Sequence, residues 1–169
     1  SEATKMGAEA IRIVLHRIEH RQLIRMLSYR DRDGYTALHW YADYRRNEMI
    51  KVILDSVNED ECYQLLSITD DKMIWTSLHI SCGRGDTESV RVMLNHINQD
   101  MRYSLLQMTE DDSNTPLHGA SYFGHADIMK VIHESVTHTQ WINLLHMKDE
   151  DEMTVLQSVA YITRIINPP

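Results

Sequence analysis

Proline is scarce in this chain. It has three, two of them the final Pro168 and Pro169, so Pro-rich linker chemistry is almost absent and the chain reads as continuous structure. Cysteine is limited to Cys62 and Cys82. Their spacing fits neither a metal site nor a redox motif, and both read as reduced, buried thiols. No run approaches the ~18 apolar residues of a membrane-spanning helix, which argues against membrane insertion. Basic residues are outnumbered, 17 against 25 acidic, for a net charge of −8. An acidic chain without a basic stripe is a poor phosphate binder, so nucleic acid is not the expected partner, while a basic partner is weakly favoured. There is no Asn-x-Ser/Thr sequon and no signal-peptide pattern over Ser1–Ala10, so the cytoplasm is the expected location, with the nucleus as the alternative. What is present is ordinary for a folded domain: 43% hydrophobic and 25% charged residues over 169 positions, enough for a core without disulfides.

The chain repeats itself. Tyr35-Thr36-Ala37-Leu38-His39, Trp75-Thr76-Ser77-Leu78-His79, Asn114-Thr115-Pro116-Leu117-His118 and Met153-Thr154-Val155-Leu156-Gln157 align, with their threonines 40, 39 and 39 residues apart. An acidic residue stands five positions before each threonine: Asp31, Asp71, Glu110 and Asp149. Nine positions after it come Gly85 and Gly124, with Arg45 in the first copy, and then an acid: Glu48, Glu88, Asp127. Amphipathic stretches follow, such as Met49, Ile50, Ile53, Leu54 and Val57, whose spacings of 3, 4 and 7 mark one helical face.

This pattern resembles the ankyrin repeat, whose Thr-Pro-Leu-His signature is complete at Thr115–His118. The resemblance runs along essentially the whole chain. It implies an all-α solenoid with β-turn fingers, as one array: a partial repeat over 1–30, full repeats over 31–70, 71–109 and 110–148, and a partial repeat over 149–169. Thr36, Thr76 and Thr115 are helix caps, Pro116 suits a first helical position, and the resemblance gives His39, His79 and His118 the role of linking neighbouring repeats by hydrogen bonds. Ser1–Ile18 match a second helix, and Met153–Ile166 match a first helix.

The sequence departs from the family in several places. Each repeat is about six residues too long. The surplus holds Cys62–Leu66, Arg102–Leu106 and Gln140–Leu145, each with an aromatic residue before Leu-Leu, and reads as a short extra helical turn serving local packing. The left-handed finger position two before the threonine is Gly34 only once; Ile74, Ser113 and Glu152 replace it. Ile74 would be strained there, so the second finger is expected to take another shape. His133 stands where the repeat has leucine and is expected to be partly buried. His16 and His20 are four apart and could share a helix face, but no third metal ligand accompanies them. No nucleophile–base motif or phosphate loop appears. The chain is therefore read as no enzyme, with no catalytic residue, metal or cofactor.

The resemblance implies a partner surface formed by the fingers and the ends of the first helices. In this register the surface is Arg32, Tyr35, Trp40, Asp43, Tyr44, Met73, Trp75, Arg84, Asn114, Tyr122 and Phe123. It holds six of the chain's twelve aromatic residues, and aromatic and Arg side chains dominate binding hot spots. The acids at Asp70–Asp71, Glu110–Asp112 and Asp149–Glu152 are read as a solvated edge, with docking of a basic peptide as the functional version. The expected function is recognition of a protein or peptide by a rigid concave surface. The alternative is a structural spacer or cytoplasmic segment of a larger multidomain or channel protein, with the rest of that chain as the partner.

Overall fold

The computed structural model describes the backbone of residues 2–166 and the side chains of 5–160. The chain opens with α1 (Glu2–Leu15) and α2 (His20–Leu27), followed by α3 (Ala37–Asp43), α4 (Asn47–Leu54) and α5 (Glu59–Leu66). The pattern returns as α6 (Ser77–Arg84), α7 (Thr87–Asn95) and α8 (Gln99–Leu106), then α9 (Pro116–Tyr122), α10 (Ala126–Ser135) and α11 (His138–His146), and ends in α12 (Val155–Ile166). Among the described residues the only extended pairings are two isolated bridges, Thr69 with Thr76 and Lys148 with Thr154. The first helices α3, α6, α9 and α12 pack in series, as do the second helices α1, α4, α7 and α10. Each repeat buries its apolar stripe on its neighbours: Leu38, Leu78 and Leu117 from the first layer and Ile50, Ile53, Val90, Met93, Ile128 and Ile132 from the second are at most 1% exposed. The result is an all-α repeat solenoid.

The surplus in each repeat is a whole third helix rather than a single extra turn. Its start is capped by Asn58, Asn98 and Thr137, whose side chains accept from the backbone N–H of Glu61, Met101 and Gln140. Glu61 and Gln140 return the bond to the cap residue, which completes a capping box. Leu65, Leu66, Leu105, Leu106 and Leu144 are buried. The helix is also tied to the end of the second helix: Cys62 Sγ donates to the Leu54 carbonyl at 3.4 Å, and Arg102 Nε to the Leu94 carbonyl at 2.6 Å. The third helices form their own file, α5 against α8, with His20 bonded to Glu61 at 2.7 Å and Asn143 donating to the Tyr103 hydroxyl at 3.2 Å.

Each finger is organised by the acid that precedes it. Asp31, Glu110 and Asp149 close their turns by donating backbone N–H to the carbonyls of Tyr35, Asn114 and Met153, four residues on. In the second finger the closing acid is Asp70, not Asp71, and it reaches five residues to Trp75. That one extra residue is the 40-residue step. The acid side chains then accept from the turn: Asp31 from the Asp33 and Tyr35 N–H groups, Asp70 from those of Lys72 and Met73, Glu110 from Asn114, and Asp149 from Met153. These four acids are finger staples, and two of them, Asp70 and Glu110, are buried. Successive fingers share one backbone bond each: Asp71 N–H to the Asp33 carbonyl, Asp111 to Met73 and Glu150 to Asp112.

Despite its isoleucine, the second finger keeps the left-handed shape. Ile74 has φ 57°, beside 83° at Gly34, 61° at Ser113 and 59° at Glu152. Stapling and stacking override the local preference. Only the first position demands glycine on steric grounds as well, because a Cβ on Gly34 would lie 2.4 Å from the Asp71 nitrogen. Of three other expectations, partial burial of His133 and a shared helix face for His16 and His20 both fail, while the free, buried cysteines hold. His133 is exposed, with its ring edge-on to Trp141 at 5.1 Å. His16 and His20 do not share a helix, since α1 ends at Leu15 and α2 starts at His20. Cys62 and Cys82 are free and buried, and burial pushes the Cys62 thiol up to about 12.

Of the signature histidines, each expected to link neighbouring repeats, only His39 bonds into the next repeat among the described residues; His79 ties its cap to Met108 at the end of its own repeat. Nδ1 of His39, His79 and His118 accepts the backbone N–H of Thr36, Thr76 and Thr115 at 3.1, 3.2 and 3.3 Å. A nitrogen that accepts carries no proton, so the neutral ring holds its proton on Nε2. That Nε2 donates to the Trp75 carbonyl from His39 and to the Met108 carbonyl from His79, both at 3.0 Å. Nε2 of His118 is buried without a hydrogen-bond partner among the described residues. In the last copy Gln157 Oε1 accepts from Thr154 N–H at 2.9 Å, which keeps the capping half of the arrangement.

Two predictions follow from these geometries. Burial lowers the pKa of all three histidines, that of His79 to about 4. The unfolded chain therefore takes up protons first, and stability present above pH 6.5 is lost as pH falls toward about 4. The share of His79 is on the order of 3 kcal/mol. Urea unfolding from pH 7.5 to 5 will show this slope, and His79→Gln will flatten it. Ile74→Gly removes left-handed strain at a position 44% exposed, and will raise stability by up to about 1 kcal/mol in the same assay.

Candidate functional site: a groove across the second and third repeats

One column of the repeat decides where the surface opens. Trp40, Ile80 and Gly119 occupy the same place on α3, α6 and α9, and the side chain shrinks to nothing along the series. Gly83, one turn beyond Ile80, faces Gly119; a Cβ on Gly119 would lie 3.9 Å from the Gly83 nitrogen. The two glycines keep side chains off their part of the floor, which Ile80 and Pro116 also line, and a groove of 460 Å³ lies over it. Its finger side is formed by Met73, Trp75, Glu110, Asp112 and Asn114, and its far side by Arg84, Tyr122 and Phe123.

Six of the sequence-predicted surface residues therefore meet: Met73, Trp75, Arg84, Asn114, Tyr122 and Phe123 all line this groove. Tyr122 and Phe123 are 55% and 59% exposed, with their rings edge-to-face at 5.0 Å. Phe123 also stacks on His125 at 6.2 Å. Trp75 is half-buried against the core.

The remaining five stand apart at the first repeat. Trp40 fills the space that Gly119 leaves open two repeats later. It stacks on Tyr44 at 5.7 Å, meets Tyr35 edge-on at 5.2 Å and donates Nε1–H to Asp31 at 2.8 Å. Tyr35 is half-buried against the core and stacks on His39 at 5.4 Å, while Trp40 and Tyr44 are 39% and 61% exposed. Arg32 is exposed on the first finger. Asp43 and Arg84, both expected on the partner surface, hold each other across the repeat boundary: Arg84 Nε and Nη2 both donate to Asp43 Oδ1, at 2.8 and 2.5 Å. Arg45 Nη2 in turn donates to the Arg84 carbonyl.

Charge is distributed unevenly along the fingers. The first two neutralise each other through Arg30–Asp71 at 2.6 Å and Lys72–Asp33 at 2.7 Å. The last two carry seven acids, Glu110–Asp112 and Asp149–Glu152, with Lys148 bonded to Glu152 at 2.6 Å as the only ion pair among the described residues there. Asp112 beside Glu150 pushes the Glu150 carboxyl above the usual range, as expected of crowded like charges. This negative field borders the groove.

The sequence reading missed Ile80 and Gly119, and took Glu110 as an edge acid. The signal was available in the Trp40–Ile80–Gly119 column, where loss of side-chain volume predicts an opening.

Comparison with protein families agrees with this architecture. The model for ankyrin repeats (3 copies) matches residues 56–140, and the model for an ankyrin repeat matches residues 33–61. No curated protein matches the chain. Ankyrin repeats are generally protein–protein interaction modules, and proteins built from them are typically non-enzymatic. With helices, fingers, signature histidines and family model all in one register, the chain belongs to the ankyrin-repeat family.

Proposed function

We propose that this chain recognises a protein or peptide non-covalently through the groove over Gly83 and Gly119. The observation that carries this reading is the pair of exposed rings, Tyr122 and Phe123, at the border of a glycine-floored groove. Exposed aromatic groups beside a cleft are a typical setting for interface anchors. The groove is built on capped helices and stapled fingers, so little ordering entropy is lost when it is filled. Catalysis has no part in this reading, and no cofactor or metal is assigned to it. We place the recognition in the cytoplasm or nucleus, a reading supported by two buried cysteines kept as free thiols.

The test is a comparative pull-down from cell extract. Native chain and a Tyr122→Ala/Phe123→Ala variant serve as baits, with thermal melting to confirm an unchanged fold. A band held by the native chain and lost by the variant is expected. A band held equally by both contradicts the groove as the site. No specific band from either contradicts recognition and favours the spacer role.

A further inference from the structure

We propose that the occupant of this groove is an extended protein segment that sets an arginine guanidinium against Glu110, with the arginine stem laid across the neighbouring aromatic rings. The inference rests on the groove being the recognition site and adds the chemistry of what enters it. Glu110 is 8% exposed and lines the groove. Its Oε1 accepts from the Asn114 backbone N–H at 3.1 Å and from Asn114 Nδ2 at 2.6 Å. Its Oε2 receives only a long bond, 3.4 Å from Trp75 Nε1. Each carboxylate oxygen can accept about two hydrogen bonds, so Oε2 has unused capacity. Among the described residues no Lys, Arg or His forms an ion pair with Glu110. A buried carboxylate without a cation is costly, and an incoming cation relieves that cost.

Two comparisons within the molecule sharpen the assignment. The equivalent finger acids Asp31, Asp70 and Asp149 staple their turns as Glu110 does, but of the four only Glu110 lines the groove. The one cation on the groove wall, Arg84, is already bound twice by Asp43. The surrounding field is negative, with Asp111, Asp112, Glu150 and Asp151 all exposed on the adjoining fingers. This is charge complementarity for a basic segment. Arginine fits better than lysine because its planar, weakly hydrated head can bond a carboxylate through a fork and stack on a ring. Trp75 and Phe123 provide the rings.

A random dodecapeptide display library panned against the intact chain tests this, followed by fluorescence polarisation of the synthetic consensus peptide. The expected consensus carries an arginine at a fixed distance from an apolar residue. Glu110→Gln, which keeps an acceptor for Asn114, should weaken the peptide at least about tenfold. Asp112→Asn, at the exposed rim, should weaken it about threefold. Citrulline in place of the peptide arginine should cost as much as Glu110→Gln, and the two changes together should cost little more than either alone. The citrulline arm leaves the protein untouched, so it stands even if Glu110→Gln melts early. A consensus without arginine that is still lost on Phe123→Ala overturns the arginine inference while the groove reading survives. Equal binding with lysine in place of arginine overturns the guanidinium assignment. A consensus indifferent to Phe123→Ala, or a library that yields no binder, overturns both.

Discussion

The bond on which the rest of this structure depends is the one a neutral, buried histidine makes in two directions. Its Nδ1 holds the N-terminus of its own first helix through the threonine N–H, and its Nε2 donates to a backbone carbonyl, Trp75 of the next repeat from His39 and Met108 at the end of its own repeat from His79. One ring thereby ties the helix start to a backbone carbonyl 36 residues on from His39 and 29 residues on from His79. Because Nε2 meets a backbone carbonyl rather than a side chain, the link tolerates variation in what the next finger carries. It does not tolerate protonation, which would place a second proton on Nδ1 against the threonine N–H.

Register set in this way decides where each side chain falls on the surface. The groove is not built on a loop of its own. It appears where the column that begins with Trp40 reaches Gly119, and where Gly83 meets the same floor. The first repeat, with the same backbone, is filled by a stack of its own rings. Charge follows the same logic: fingers one and two exchange ion pairs across their gap, whereas fingers three and four carry acids with little to neutralise them. A uniform scaffold thus carries a non-uniform surface, and the recognition we propose uses one part of it.

Much of this was legible in the residues themselves. The threonine register located the first helices, and 3–4–7 spacing located the second. The third helix was read as a turn because its apolar content is only an aromatic residue and Leu-Leu; the capping residues Asn58, Asn98 and Thr137 were the overlooked signal. Ile74 shows the limit of local reasoning: its β-branched side chain disfavours φ 57°, yet an acid staple on one side and a stacked finger on the other impose it. Which exposed-looking aromatics line a groove and which pack on each other was beyond the pattern, since it depends on the volume of residues one and two repeats away. The pairing of Asp43 with Arg84, 41 residues apart, was hidden for the same reason.

The most direct test of this account is the protonation state of the signature histidines, read by long-range 1H–15N NMR correlation. The account predicts that His39 and His79 are neutral with the proton on Nε2 at pH 7, and that His79 keeps this form well below pH 6, in line with a pKa of about 4. A proton on Nδ1, or titration of His79 near 6.5, would contradict the two-way bond and remove the basis for the register that builds the groove.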